Sequence, residues 1–181
     1  MFVDEMRYGL MSNIRRSWSK KGKRTVYQNQ QEFANRYLYT AIDPINGKSF
    51  HLMNFDDAST EQTDLFLSAL QEKFPNDHLV IVWDRAPFHR SQSLKRKHMT
   101  LISLPSYSPQ LNPVERYFGE MRKFTANKIF RDGMEALSKT IEQGILSLSS
   151  NLESIKTLTG YSWIREQWQL IADWMIVRMY G

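Results

Sequence analysis

The sequence predicts an α/β fold built on a mixed sheet with helices on its faces, and three stretches carry that prediction. Leu79-Val80-Ile81-Val82-Trp83 is a short apolar run rich in β-branched residues that stops at Asp84, the pattern of a buried strand. Residues 37–42 and 49–55 are two further strand-like runs, joined by the turn chemistry of Asp43-Pro44-Ile45-Asn46-Gly47 into a hairpin. Between them and the buried strand, Leu65, Phe66, Ala69, Leu70 and Phe74 recur at helical spacing. A hairpin early in the chain and a helical crossover into later strands give a mixed sheet, not an all-parallel one.

Taken in order, Phe2-Val3 opens a first strand that brings Asp4 and Glu5, neighbours that must point to opposite faces. Residues 15–24 read Arg-Arg-Ser-Trp-Ser-Lys-Lys-Gly-Lys-Arg. Such a run can lie along a phosphate backbone, with Arg16, Lys20 and Lys21 as cations and Trp18 as a stacking ring, or it is a solvated loop. Residues 26–32, with three glutamines, suggest a short strand and a loop. After the hairpin, residues 56–60 form a loop with capping residues, and the helix over 61–74 ends at Pro75-Asn76-Asp77. Residues 56–77 are acidic, and like charge assigns them to the side turned away from any nucleic acid.

The strand over 79–83 is followed by an irregular segment and a second strand over 100–104, broken by Pro105. Asn112 is a good N-cap and Pro113 a good first helical residue, so a helix starts there with Glu115 in its first turn and Arg116, Arg122 and Lys123 on its polar face. Residues 135–147 also read as helix, and 152–161 stay unassigned. Residues 163–179 read as a final helix dense in Trp163, Ile164, Trp168, Ile171, Trp174 and Met175, an aromatic stripe that is either core or a patch for a partner subunit.

Composition narrows the chemistry. The chain has 181 residues, 41% apolar and 24% charged, with a net charge of +5, which suits one soluble globular domain. It has no cysteine, which excludes disulfides and thiolate metal sites and fits a reducing compartment. No apolar run approaches the ~20 residues of a membrane span, so no membrane association is expected. His51, His78, His89 and His98 lack the spacing of a zinc set, no serine sits in a nucleophile elbow, and no glycine-rich phosphate loop exists. What remains are acids on rigid elements: Asp84 closing a strand and Glu115 opening a helix. A charge at the end of a buried strand is costly unless it has a partner or a metal. Carboxylates are hard ligands that suit Mg²⁺ or Mn²⁺.

Asp84-x-Ala86-x-x-His89, followed by Leu104-Pro105-x-Tyr107-Ser108-Pro109-x-Leu111-Asn112-Pro113-x-Glu115, resembles the second half of the Asp-Asp-Glu catalytic domain of insertion-sequence and mariner-related transposases. Glu115 stands 31 positions after Asp84, similar to that family's short spacing. Asp4-Glu5 resembles the pair at the end of the family's first strand, with Gly9, Arg16, Trp18 and Gly22 in its downstream pattern. One departure is Arg85, where the family usually carries Asn.

The resemblance covers roughly residues 1–125 and implies a ribonuclease H-like fold, with residues 126–181 as a helical C-terminal extension of one domain spanning 1–181. It further implies that Asp4, Asp84 and Glu115 are the catalytic and metal-binding residues of a DNA-cleaving and strand-transferring enzyme using two Mg²⁺ or Mn²⁺ ions. Arg16, Trp18, Lys20, Lys21, Arg85, His89, Tyr107, Asn112, Arg116, Arg122 and Lys123 are then candidates for DNA contact. His89 has a loop-capping role as its alternative. The implied partners are transposon-end and target DNA and a second copy in a homodimer or larger assembly on the bacterial nucleoid in the cytoplasm. A DNA-recognising helix-turn-helix region is expected upstream, in the same or a fused frame. The competing readings are a ribonuclease H-like nuclease without strand transfer and an inactive DNA-binding remnant.

Overall fold

A computed structural model describes residues 1–170. Five strands, β1 (Phe2–Gly9), β2 (Asn35–Ile42), β3 (Ser49–Phe55), β4 (Leu79–Trp83) and β5 (Met99–Ser103), form one sheet in the order β3-β2-β1-β4-β5. β1, β2 and β3 pair antiparallel, while β4 runs parallel to both β1 and β5. The helices are α1 (Thr60–Lys73), α2 (Val114–Thr125), α3 (Gly133–Ser149) and α4 (Leu152–Thr159), and the chain is helical again over 162–170. The architecture is the mixed α/β, ribonuclease H-like sheet expected from the sequence.

Strand alternation sorts the side chains into two cores. Val3, Tyr39, Ala41, Ile81 and Trp83 pack with Phe66, Leu67 and Leu70 of α1 on one face. Met6, Tyr8, Leu38 and Ile42 pack on the other with Val114, Tyr117, Phe118 and Met121 of α2, Leu137 and Ile141 of α3, and Ile155 of α4. Cores on both faces make the sheet a central layer, although on β4 only Leu79, Ile81 and Trp83 are buried while Val80 is exposed.

Four local readings change. β1 does not end at Asp4: its ladder to β2 runs from Phe2↔Ile42 to Gly9↔Asn35, whereas its pairing with β4 is confined to Phe2↔Val82. Asp4 therefore sits inside a strand whose β4 side is already open. Residues 26–32 form no strand; they lie in a long excursion over 10–34 tied at its base by Leu10 N–H to the Ala34 carbonyl and Ser12 N–H to the Gln30 carbonyl. These polar residues have no apolar face to bury against the sheet. The unassigned stretch 152–161 holds α4, capped by Asn151, whose Oδ1 accepts from Glu153 N–H. Of the predicted final helix, residues 171–179 lie outside the described residues; within 163–170, Ile164 is buried and Trp163 and Trp168 are partly exposed, at 39% and 45%.

α2 carries Glu115, and its position is fixed by a polar anchor. The Tyr117 hydroxyl lies 3.2 Å from Ser149 Oγ and 3.4 Å from His51 Nε2, with the His51 and Tyr117 rings stacked at 5.2 Å. His51 Nδ1 meets Thr40 Oγ1 at 3.1 Å. The sheet, α2 and the end of α3 thus share one network. Burial pushes His51 down to about 4, so it is neutral there.

Candidate active site

Asp4 and Asp84 come from the neighbouring strands β1 and β4. Alternation puts Asp4 on the α2 face, with Phe2 and Met6, and sends Glu5 to the α1 face, with Val3. Asp84 follows the last residue of β4, and Glu115 lies in the first turn of α2. All three line one pocket of about 370 Å³, together with Arg85, Arg90, Pro105, Tyr107 and Asn112.

Each acid is held differently. Asp4 Oδ1 accepts from Glu5 N–H at 2.9 Å and Oδ2 from Asn112 Nδ2 at 3.3 Å. Burial, and then the charges of Glu5, Glu115 and Asp84, push Asp4 up to about 8 despite the backbone bond. Asp84 goes the other way. His89 Nδ1 donates to its Oδ1 at 2.9 Å, the Ala86 N–H donates to the same oxygen, and its carboxyl is held below the usual range. Glu115 lies 3.8 Å from the Arg122 guanidinium, an exposed pair of little energetic weight.

His89 ties the two strands together. Its Nε2 reaches Glu5 Oε1 at 3.1 Å, so the ring bridges Glu5 on β1 and Asp84 beyond β4. The ring stacks on Trp83 at 4.2 Å and meets Phe88 edge-on. Burial opposes its charge, but the bonds to Asp84 and Glu5 outweigh it and lift His89 to about 9. Its side chain is 2% exposed, which leaves neither nitrogen for a phosphate. The expected DNA contact is corrected here: with both nitrogens occupied and the ring buried, His89 serves the protein interior.

Asn112 is likewise buried. Asn112 stands two residues before α2 begins; its Nδ2 donates to the Val3 carbonyl and Asp4, and its Oδ1 accepts from Val114 N–H. Its amide orients Asp4 and caps α2, so it too has no face for DNA. Pro113, which lacks an N–H, occupies the capping position itself.

The rim is cationic and aromatic. Arg85 is exposed, and Arg90 braces it by donating Nε and Nη2 to the Arg85 carbonyl. Tyr107 is fully exposed and held at φ 57°, a conformation uncommon for a tyrosine. Along α2, Arg116 lies over the Tyr161 ring at 4.4 Å, Arg122 near Phe118, and Lys123 bonds Glu120. Arg16, Trp18, Lys20 and Lys21 are exposed on the 10–34 excursion and do not line the carboxylate pocket. The excursion's base is tied beside the end of α2: Asn13 Nδ2 donates to the Arg122 carbonyl, and Arg15 N–H to Asn127 Oδ1.

Arg90 and the inward role of Glu5 are two contributors that the sequence reading missed. The spacing Asp84-x₄-His89 was the available signal, since a tight return loop brings residue 89 back to the strand end.

The donor set suits a hard divalent cation: three carboxylates converge on one pocket, and Asp84 is 57% exposed. Among the described residues, no three such groups are drawn together closely enough to hold an ion as they stand. Burial is the main cause of the raised Asp4, with the neighbouring carboxylates adding to it, and Glu115 lies 3.8 Å from Arg122.

The uncharacterized protein y4pE/y4sA of Sinorhizobium fredii (strain NBRC 101917 / NGR234) is 33% identical over 99 residues, which is 53% of this chain and 73% of that protein. Among solved structures, the Mos1 transposase paired-end complex with left transposon end superposes with a TM-score of 0.57 at 17% identity, over 88% of this chain and 55% of that one. The Mos1 mariner paired end complex with Mn gives the same TM-score, identity and coverage. The chain therefore spans about half the length of the transposase chains it matches. The sequence profile described as DDE superfamily endonuclease matches residues 1–137, across every strand of the sheet and the three pocket acids, and the chain belongs to that family.

Proposed function

We propose that this chain is the catalytic part of an insertion-sequence transposase, cutting DNA strands and joining them to a target with divalent metal. The observation that carries the reading is the convergence of Asp4, Asp84 and Glu115 from two neighbouring strands and a helix start on one open pocket. Asp4, Asp84 and Glu115 would hold Mg²⁺ or Mn²⁺. When bound, such ions supply the Lewis acidity that activates an attacking hydroxyl and stabilises a leaving oxygen.

The chain's own residues do the rest. Asn112 orients Asp4. Arg85 offers a cation at the pocket mouth to attract a phosphate, with its backbone braced by Arg90. The exposed Tyr107 ring is placed to stack on a base beside the scissile bond. Arg16, Trp18, Lys20 and Lys21 extend the contact along the backbone, and Arg116, Arg122 and Lys123 continue it along α2. Phosphate contacts of this kind fix position and carry no sequence information directly. The likeness to paired-end complexes supports DNA as the partner and an assembly of two or more copies on it.

The test is nicking of supercoiled plasmid by the purified chain with Mn²⁺, compared with Asp84→Asn and Glu115→Gln. Loss of nicking in both, with the fold retained by circular dichroism, is expected. Nicking at the wild-type rate in either variant overturns the assignment. Joined products from labelled ends separate a transposase from a nuclease without strand transfer.

A further inference from the structure

The ring of His89 is enclosed between Trp83 and Phe88, yet both of its nitrogens point at carboxylates from different strands. Nδ1 lies 2.9 Å from Asp84 Oδ1 and Nε2 lies 3.1 Å from Glu5 Oε1, so the ring is pinned at both ends. The interaction is also one-sided with respect to the pocket: His89 and the Ala86 N–H both bind Oδ1 of Asp84. Oδ2 of Asp84 has no hydrogen bond to the protein among the described residues, and the carboxylate is the most exposed of the buried cluster. Glu5 fixes the far end of the ring, and its side chain is 7% exposed. It thus acts from the face of β1 opposite to Asp4.

We infer that Glu5 and His89 form a positioning pair that holds the Asp84 carboxylate in one rotation, with Oδ2 presented to the pocket. This rests on the reading of Asp84 as a cation ligand and extends it to two residues that touch neither cation nor DNA. Carboxylate ligands are themselves commonly hydrogen-bonded, and loss of such a support costs about 10–100-fold in metal affinity. The geometry also explains why an acid follows Asp4 directly: β-strand alternation lets one dipeptide supply a pocket ligand on one face and the anchor of its neighbour's support on the other.

The two amide substitutions separate this role from simple packing. The side-chain nitrogen of Asn overlies His Nδ1, and that of Gln overlies Nε2. His89→Asn therefore keeps the donor to Asp84, and His89→Gln keeps only the donor to Glu5. Both lose the stacked ring, so a purely structural role affects them alike. Mn²⁺ binding to the full chain, read by electron paramagnetic resonance below the melting temperature of each variant, should weaken at least ~10-fold in His89→Gln and stay within ~3-fold of wild type in His89→Asn. Equal Mn²⁺ affinity in the two variants overturns the positioning role. An Asp84→Asn protein that binds Mn²⁺ as wild type does, or a wild type that binds none, overturns the cation reading beneath it, and that result is distinct from the first.

Discussion

Asp4 gives the most direct handle on the electrostatics of the pocket. Its folded value, pushed up to about 8 from 3.8, means that the native state keeps a proton that the unfolded chain has lost. The stability contributed by that proton is fully present below pH ~4 and is lost as the pH rises toward ~8. A shift of roughly four units at about 1.4 kcal/mol each sets a ceiling of about 5–6 kcal/mol. The pocket is open and Asp4 is only partly buried, so about 2–3 kcal/mol is the working expectation. Asp4→Asn removes this titration while keeping an oxygen for the Glu5 N–H. Its amide would oppose Asn112 Nδ2, a pH-independent cost of about 1 kcal/mol that cancels between two pH values. Urea unfolding in chelator at pH 5 and pH 8 is the assay. Wild type should lose about 2–3 kcal/mol more than Asp4→Asn over that interval. Parallel losses, within about 0.5 kcal/mol, would refute the claim that burial and its neighbours hold Asp4 protonated.

Three further outcomes follow from other parts of the molecule. His51, lowered from 6.5 to about 4, contributes stability that is present above pH 6.5 and lost as the pH falls toward 4. His51→Asn should cut that acid loss by up to about 3 kcal/mol in chemical denaturation, and an unchanged acid limb would sink the assignment. Gly47 has φ 72°, and a methyl there would overlap the Leu152 carbonyl, so Gly47→Ala should cost more than about 3 kcal/mol. Gly22→Ala, at φ 82° with open space around it, should cost only about 1 kcal/mol, and similar melting temperatures for the two variants would contradict the packing of α4 on the hairpin turn. Replacing Lys20, Lys21 and Lys23 by Ala should flatten the log–log salt dependence of DNA binding by about one unit per lost phosphate contact, and an unchanged slope would make the excursion a solvated loop.

The parts of the fold legible in the sequence are those set by burial. β4 and β3 fall where the apolar and alternating patterns place them, because each turns a row of apolar side chains into the core on the α1 side. β1 runs past Asp4 to Gly9 because its length is set by hydrogen bonding to β2, a long-range partner that no local pattern encodes. The excursion over 10–34 is a similar case. Its residues signal charge, while its course depends on bonds from Asn13 and Gln30 to residues near 122–130. At the site, the three acids could be named from spacing and resemblance, and the pocket gathers them. The roles of His89 and Asn112 could not. A histidine five residues after an acid reads equally well as a surface contact or a cap, and only the Trp83 slot and the distant Glu5 decide between them.

The charge of the pocket and the charge of its surroundings have opposite signs, and that opposition has a consequence for how DNA would be engaged. Asp84 and Glu115 line the pocket beside Asp4, so on the proposed reading its floor would repel a phosphate in the absence of cations. Arg85 and Arg90 at the mouth, with Arg116 and Arg122 along α2, attract one. On the proposed reading, a DNA backbone approaching the chain would be drawn to the rim and held off the floor. Divalent ions on the three proposed ligands would reverse the sign of the floor, and their arrival would also compete with Arg122 for Glu115. Freed from Glu115, the Arg122 guanidinium becomes available to the same backbone. The exposed pair is weak enough for this exchange to cost little. On that reading, metal entry and phosphate seating would be coupled through Arg122, and grip on the excursion would not, because its cations lie outside the carboxylate pocket.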